Sequence, residues 1–222
     1  MRRLLFLGLL AGCATAGTEQ PNTDAAGGDG SRIDAAPDTP LPCNEVTTEL
    51  LKNPAFDTTP MGTQWMQTPI QPSFPLVTDQ GGGTTGGIAE QTAPYDAWLG
   101  GLAGTDVLWQ DIAIPARTRL LALSGFYEVR SSDSATVVVD TGSLAFVQTN
   151  DSPIAVAQAL DNTKRTTTWS PVNYAVSNAE TLSGMTIRLK MTSTNNAVNP
   201  ISGAGATSFF WDTLSVKATH CM

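Results

Sequence analysis

Two cysteines, Cys43 and Cys221, stand at the ends of a stretch of 180 residues that runs to Met222. In an oxidising compartment such a pair is most simply a disulfide, and the alternative is two free thiols. The bond would close nearly the whole stretch into one loop. Loss of unfolded-chain entropy would make it worth roughly 5 kcal/mol, and its geometry requires the two Cα atoms to lie within about 7 Å. The first and last strands of the domain are therefore expected to be neighbours.

Within this stretch apolar side chains recur at every second place. Leu121, Leu123, Tyr127 and Val129 do so across residues 120–130, with Gly125 in the series. Val137 and Val139 do so across residues 135–139, and Met185, Ile187, Leu189 and Met191 across residues 184–191. A period of two marks strands with one face buried and the other wet. The runs are separated by turn-forming strings: residues 80–87, Asp140-Thr141-Gly142-Ser143, and Ser193-Thr194-Asn195-Asn196. Residues 154–160 are compatible with a short helix as well as a strand. Only 14% of the chain is charged, with 20 Gly and 14 Pro, against a charged share of about 25% in ordinary globular chains, and this suits a turn-rich β protein. Many strands, few helices and adjacent ends point to an all-β fold, a β-sandwich of the jelly-roll type.

The first residues carry an address. Met1-Arg2-Arg3 is a short basic start, followed by seven apolar or small residues to Leu10 and then Ala11-Gly12-Cys13. Such a run reaches only about 10 Å as a helix, far short of a membrane span, and reads as a secretory signal. Leu10-Ala11-Gly12-Cys13 resembles the lipobox of bacterial lipoproteins, which implies acylation of Cys13 as the first mature residue and a membrane partner held through that lipid anchor. Ala14 after Cys13, by analogy with lipoprotein sorting, implies the outer membrane of the cell envelope. From Ala14 to Pro42 no aromatic occurs, and Ile33 and Leu41 are the only large aliphatics, too little apolar surface to offset the entropy of ordering. The expected division is thus a signal peptide at residues 1–12, a lipidated Cys13 with a disordered linker through 42, and a β-sandwich at 43–222.

Charge and residue counts exclude several classes. With 12 basic and 20 acidic residues the net charge is −8, which disfavours nucleic acid as a partner. The single His, His220, removes most zinc enzymes and any Ser-His or Cys-His pair. Val137-Val138-Val139-Asp140-Thr141-Gly142-Ser143 matches the apolar-apolar-Asp-Thr-Gly-Ser motif of aspartic proteases, but that chemistry needs two carboxylates sharing a proton. No second Asp-Thr-Gly or Asp-Ser-Gly occurs. The other reading of Asp140 is a tight turn joining strands at residues 135–139 and 144–149.

Leu50-Leu51-Lys52-Asn53-Pro54-Ala55-Phe56-Asp57 followed by Trp65 is similar to the Asn-Gly-x-Phe-Glu and Trp opening of carbohydrate-binding modules with the galactose-binding-like jelly roll. Ala97-Trp98-Leu99-Gly100-Gly101, the segment from Leu108 to Ala116, and the segment from Ser208 to Val216 resemble later landmarks of such domains. Pro54 stands in place of the family's Gly, Asp57 in place of its Glu, and Thr213 in place of a second Asp. The resemblance implies a structural calcium linking the first loop to the last strand, with Asp57 and Asp212 as ligands. It also implies a glycan held by aromatic faces. Trp65, Tyr95 and Trp98, beside Gly- or Pro-rich stretches, are the expected ligand-binding residues. Trp109, Trp169 and Trp211, within apolar strands, are expected in the core.

The expected function is a non-catalytic, lipid-anchored module that binds a glycan or an envelope protein. An aspartic-protease-like hydrolase using Asp140 and a purely architectural lipoprotein are the alternatives.

Overall fold

The alternating runs pair into antiparallel sheets because each strand has one apolar face to bury and a ladder of backbone groups to satisfy. In the computed structural model, which describes residues 42–79, 88–133, 135–196 and 205–222, eleven strands are present. They are β1 (Glu45–Glu49), β2 (Met66–Thr68), β3 (Val77–Thr78), β4 (Asp96–Gly100), β5 (Gly104–Ala113) and β6 (Thr118–Ser131). They continue with β7 (Thr141–Gln148), β8 (Pro153–Asp161), β9 (Ser170–Ala175), β10 (Thr186–Asn195) and β11 (Thr207–Cys221). A 3-10 turn at Ala179–Leu182 joins β9 to β10. Among the described residues no helix is long and apolar enough to cross a membrane.

Sheet A runs β3-β4-β11-β6-β9, with β1 also on β11, and sheet B runs β2-β5-β10-β7-β8. Most connections after β3 cross from one sheet to the other, which is jelly-roll wiring. The two inner faces meet in one core. Leu99, Leu121, Val129, Phe209 and Trp211 come from sheet A, and Leu108, Ile112, Leu144, Phe146, Ile187 and Leu189 from sheet B. In β6 the expected series holds, with Leu121, Leu123 and Val129 buried and Tyr127 packed against the core. Gly125 is a glycine because a Cβ there would stand 2.6 Å from Leu214 Cδ2, at the point where β11 bulges between Asp212 and Ser215.

The ends of the domain meet as the cysteine pair requires. β1 lies antiparallel to the end of β11, Glu45 opposite Cys221 and Glu49 opposite Lys217. Cys43 and Cys221 form a disulfide with their Cα atoms 4.9 Å apart.

Three local expectations are corrected. Residues 135–139 form no strand, and Val137, Val138 and Val139 are exposed. The buried side chain of Asn162 takes the backbone groups a ladder would have used, accepting from the N–H of Val139 and Asp140 and donating to the carbonyl of Val137. Thr141 and Gly142 are not a turn but the start of β7. Gly142 is buried against Phe209, whose Cδ1 would stand 2.6 Å from a Cβ. Met185, counted in the β10 series, precedes the strand and is exposed. Residues 154–160, open between helix and strand by sequence, form β8 because β7 offers them a partner edge. Cys13, the signal segment and the linker lie outside the described residues.

Candidate functional site

On sheet B the period of two directs Leu108, Gln110 and Ile112 of β5 inward and Val107, Trp109 and Asp111 outward. β10 likewise sends Arg188, Lys190 and Thr192 outward, and β7 sends Ser143 and Ala145. Register then builds a row across the outer face: Met66 lies opposite Trp109, Trp109 opposite Lys190, Lys190 opposite Ala145, and Ala145 opposite Val156. Met66 and Val156 are exposed at its two ends, and Trp109 is half-buried in the middle. On one side the next row holds Asp111 opposite Arg188, and on the other Val107, Thr192 and Ser143.

The charges on this face are organised around Trp109. The Arg188 guanidinium lies 5.1 Å from the centre of the Trp109 ring, within cation–π range. Arg188 Nε donates to Asp111 Oδ1 at 2.7 Å, Arg188 Nη1 to Asp151 Oδ1 at 3.3 Å, and Lys190 Nζ to the same oxygen at 3.1 Å. Hydrogen bonding from Lys190 holds the Asp151 carboxyl below its usual range, and hydrogen bonding to Asp111 holds the Arg188 guanidinium above its own. These fixed donors and acceptors flank an aromatic ring, and the small Ala145 and Ser143 stand on the far side of β10. Trp109, expected in the core, is thus a half-buried aromatic in the middle of the outer face of sheet B. Sequence alternation placed it within an apolar strand, and its parity opposite to Leu108 and Ile112 was the available signal.

The aromatics expected to bind ligand do not converge. Trp65 is buried against Phe56, ring centres 5.0 Å apart, and its Nε1 donates to the Asn53 carbonyl at 3.0 Å. Asn53 also accepts from Thr58 N and donates to the Thr63 carbonyl, so the Asn-x-x-Phe and Trp landmarks knit the first loop together and offer no platform. Tyr95 packs toward the core, whereas Trp98 lies on the outer face of sheet A, 5.4 Å from Phe210. Trp169 is half-buried, its Nε1 donating to the Ala89 carbonyl, and Trp211 is fully buried as expected.

Asp140 is fully buried. Its Oδ1 accepts from Asn196 N and its Oδ2 from Thr207 Oγ1, each at 2.7 Å. Asp133 lies close enough that burial, with hydrogen bonding and charge from Asp140, pushes its carboxyl up to about 6. A sequestered carboxylate with both oxygens occupied has no access to the water it would need to activate, so the motif is a structural clasp between β7 and β11.

Asp57 is exposed, whereas Asp212 is fully buried. Asp212 Oδ2 accepts from Thr92 N at 2.8 Å, and Oδ1 accepts from Thr213 N. The Thr213 hydroxyl meets those of Thr92 and, through a donated bond, Gln91 Oε1. Burial raises Asp212 to about 6 despite these donors. Among the described residues no three His, Cys, Asp or Glu converge as a metal centre. Calcium takes six to eight oxygens, and one exposed carboxylate plus one already occupied is a poor fit to it. A third carboxylate, Asp96, is also buried, and among the described residues neither of its oxygens has a hydrogen-bond partner. Burial pushes it up to about 8, with the charges of Asp212 and Glu90 adding to the shift.

Fold and site together define a two-sheet β-sandwich with an aromatic-centred row on the outer face of sheet B. No protein-family model matches the chain, and no curated protein matches it. Among solved structures it is similar to a family 61 carbohydrate-binding module in complex with β-1,4-galactotriose, at 14% identity and TM-score 0.47 over 76% of this chain and 97% of that one. A family 15 xylan-binding module gives 11% identity and TM-score 0.45 over 80% and 97%. A family 22 xylan-binding domain from Paenibacillus barcinonensis gives 10% and 0.40 over 81% and 97%.

Proposed function

We propose that this chain is a non-catalytic glycan-binding module carried at the cell envelope by a lipid on Cys13. The observation that carries the binding reading is the row Met66, Trp109, Lys190, Ala145 and Val156 across the outer face of sheet B. Five strands about 4.8 Å apart span roughly 19 Å, room for several sugar rings laid across them. A pyranose has an apolar face that stacks on an indole and a rim of hydroxyls that need donors and acceptors. Lys190, Asp111, Asp151, Thr192 and Ser143 stand around Trp109 to supply them. Rigid strands hold these groups in place, so little ordering entropy is lost on binding.

The anchor rests on the lipobox resemblance and on the Cys43–Cys221 bond, which belongs to an oxidising compartment. Acyl chains contribute about 0.8 kcal/mol per buried methylene, and the linker would let the module reach roughly 30 Å from the lipid.

Binding is tested by affinity electrophoresis and calorimetry against a panel including xylan, β-1,4-galactan and envelope polysaccharides. Trp109→Ala is expected to weaken binding at least about 30-fold, the size of a binding hot spot, while Trp98→Phe leaves it unchanged. Binding that survives Trp109→Ala refutes the site. Absence of binding to every glycan leaves the architectural reading. Palmitate labelling that persists in Cys13→Ser refutes the anchor.

A further inference from the structure

The outer face of sheet A, on the side of the sandwich away from the row through Trp109, carries a hollow of about 340 Å³ over β9, β6 and β11. That volume falls at the lower end of the roughly 300–1,000 Å³ of small-molecule sites. Strand alternation builds it. Val172, Leu121, Leu123, Leu214 and Val216 turn into the core. Asn173 and Ala175 of β9, Ala122 and Ser124 of β6, and Ser215 and Lys217 of β11 therefore face outward and line the hollow. Register sets them in two rows. Asn173 lies opposite Ser124 and Ser124 opposite Ser215; beside them, Ala175 lies opposite Ala122 and Ala122 opposite Lys217. The four Ala and Ser positions keep the middle low, and the longer Asn173 and Lys217 stand at diagonal corners. β9 and β11 are two strand spacings apart, about 10 Å, room for one sugar ring.

Lys217 is the uncommitted charge of this hollow. It is exposed, and among the described residues it makes no ion pair and no side-chain hydrogen bond. Glu49 lies opposite it on β1, but that carboxylate is engaged elsewhere. Its Oε1 accepts from the N–H groups of Leu50, Leu51 and Val216, and its Oε2 from the Ser215 hydroxyl. The ammonium group is thus open to an outside anion, and no lining carboxylate is left for a cationic ligand. Tyr174 of β9 packs against the core, so no aromatic face is turned outward to stack a neutral sugar. The hydroxyls and the amide that remain are neutral donors and acceptors, the groups that pair with sugar hydroxyls.

We propose that this hollow binds a uronic-acid residue of a glycan, with its carboxylate on Lys217, its hydroxyls on Ser124, Ser215 and Asn173, and its apolar ring face over Ala122 and Ala175. The ammonium–carboxylate contact is a charge-assisted hydrogen bond, stronger than any neutral pair the lining can make. Charge is therefore what selects the ligand, and a neutral sugar of the same shape binds more weakly. The site is separate from the row on sheet B, and neither depends on the other.

The test titrates the full chain with trimers of galacturonate and of glucuronate, by calorimetry and by amide chemical shifts, with the fully methyl-esterified trimers as neutral counterparts. At least one acidic trimer is expected to bind with shifts centred on β6, β9 and β11, and its esterification to weaken binding at least about tenfold. Lys217→Ala should cost the same factor. Ser124→Phe, which fills the middle of the hollow from an exposed position, should abolish binding. The proposal is overturned if neither acidic trimer binds, if the ester binds as well as the acid, or if binding survives Lys217→Ala or Ser124→Phe undiminished. Shifts centred on β5 and β10 instead of β6, β9 and β11 overturn it as well. Neutral-glycan binding by sheet B can fail or succeed without affecting these readouts.

Discussion

Replacing Cys43 and Cys221 together by Ser is expected to cost the domain roughly 5 kcal/mol, mostly through the unfolded state. The bond joins residues 178 apart in sequence. The loop-closure relation, in which the entropy lost by the unfolded chain grows with the logarithm of loop length, then gives about 5 kcal/mol at 25 °C. In a domain of this size each kcal/mol moves the unfolding midpoint by about 2–4 °C, so a fall of about 10–20 °C follows. The native sheet should survive, because β1 keeps its pairing with β11 from Glu45 opposite Cys221 to Glu49 opposite Lys217 and the Leu50 N–H still donates to the Val216 carbonyl at 2.8 Å. Urea unfolding followed by circular dichroism measures both consequences. The midpoint should fall, and the slope m should rise, because an uncrosslinked denatured chain exposes more surface. A loss below about 1 kcal/mol, or a fall in stability without any rise in m, would refute the entropic reasoning.

Gly142→Ala should destabilise by about 1–3 kcal/mol through overpacking, because the new Cβ meets the Phe209 ring at 2.6 Å; a smaller side chain at Phe209 in the same chain should recover part of the loss, and a neutral Gly142→Ala in urea titration contradicts the packing. Asp133 should titrate near 6 by carboxyl-detected NMR, as burial and Asp140 dictate, and fall toward the ordinary value in Asp140→Asn. Its proton is held more tightly in the folded chain, so its contribution is fully present below about pH 4 and is lost as pH rises through about 6. An Asp133 that titrates at the ordinary carboxylate value shows that the two side chains do not meet.

How much of this was legible from the residues differs from element to element. β6 could be read almost in full, since Leu121, Leu123, Tyr127 and Val129 obey the period of two and all turn toward the core. Residues 135–139 show the same alternation and form no strand, because Asn162, more than twenty places later in the sequence, occupies their backbone groups. The Asp-Thr-Gly string named the right residues for a special environment but not its nature. Asp140 is a clasp for Thr207 and Asn196, and Gly142 makes way for Phe209. The surroundings of Trp65 escaped the sequence for a related reason. Proximity to Gly and Pro suggested Trp65, yet the first loop folds back over that ring and buries it against Phe56.

The residues alone pointed to a β-sandwich, to a bond between Cys43 and Cys221, and to the inward side chains of β6 and β10, because local alternation and the placement of two cysteines carry that information without reference to anything distant. Only the tertiary structure decided what lies beside each outward-facing aromatic. Trp98 and Trp109 both point away from the core at similar strand positions. The loop carrying Gln91 and Thr92 bonds to Asp212 and Thr213 on the outside of sheet A, whereas Trp109 on sheet B is half-buried beside Arg188. Whether a face is covered depends on segments far away in sequence, and a period of two holds no record of them.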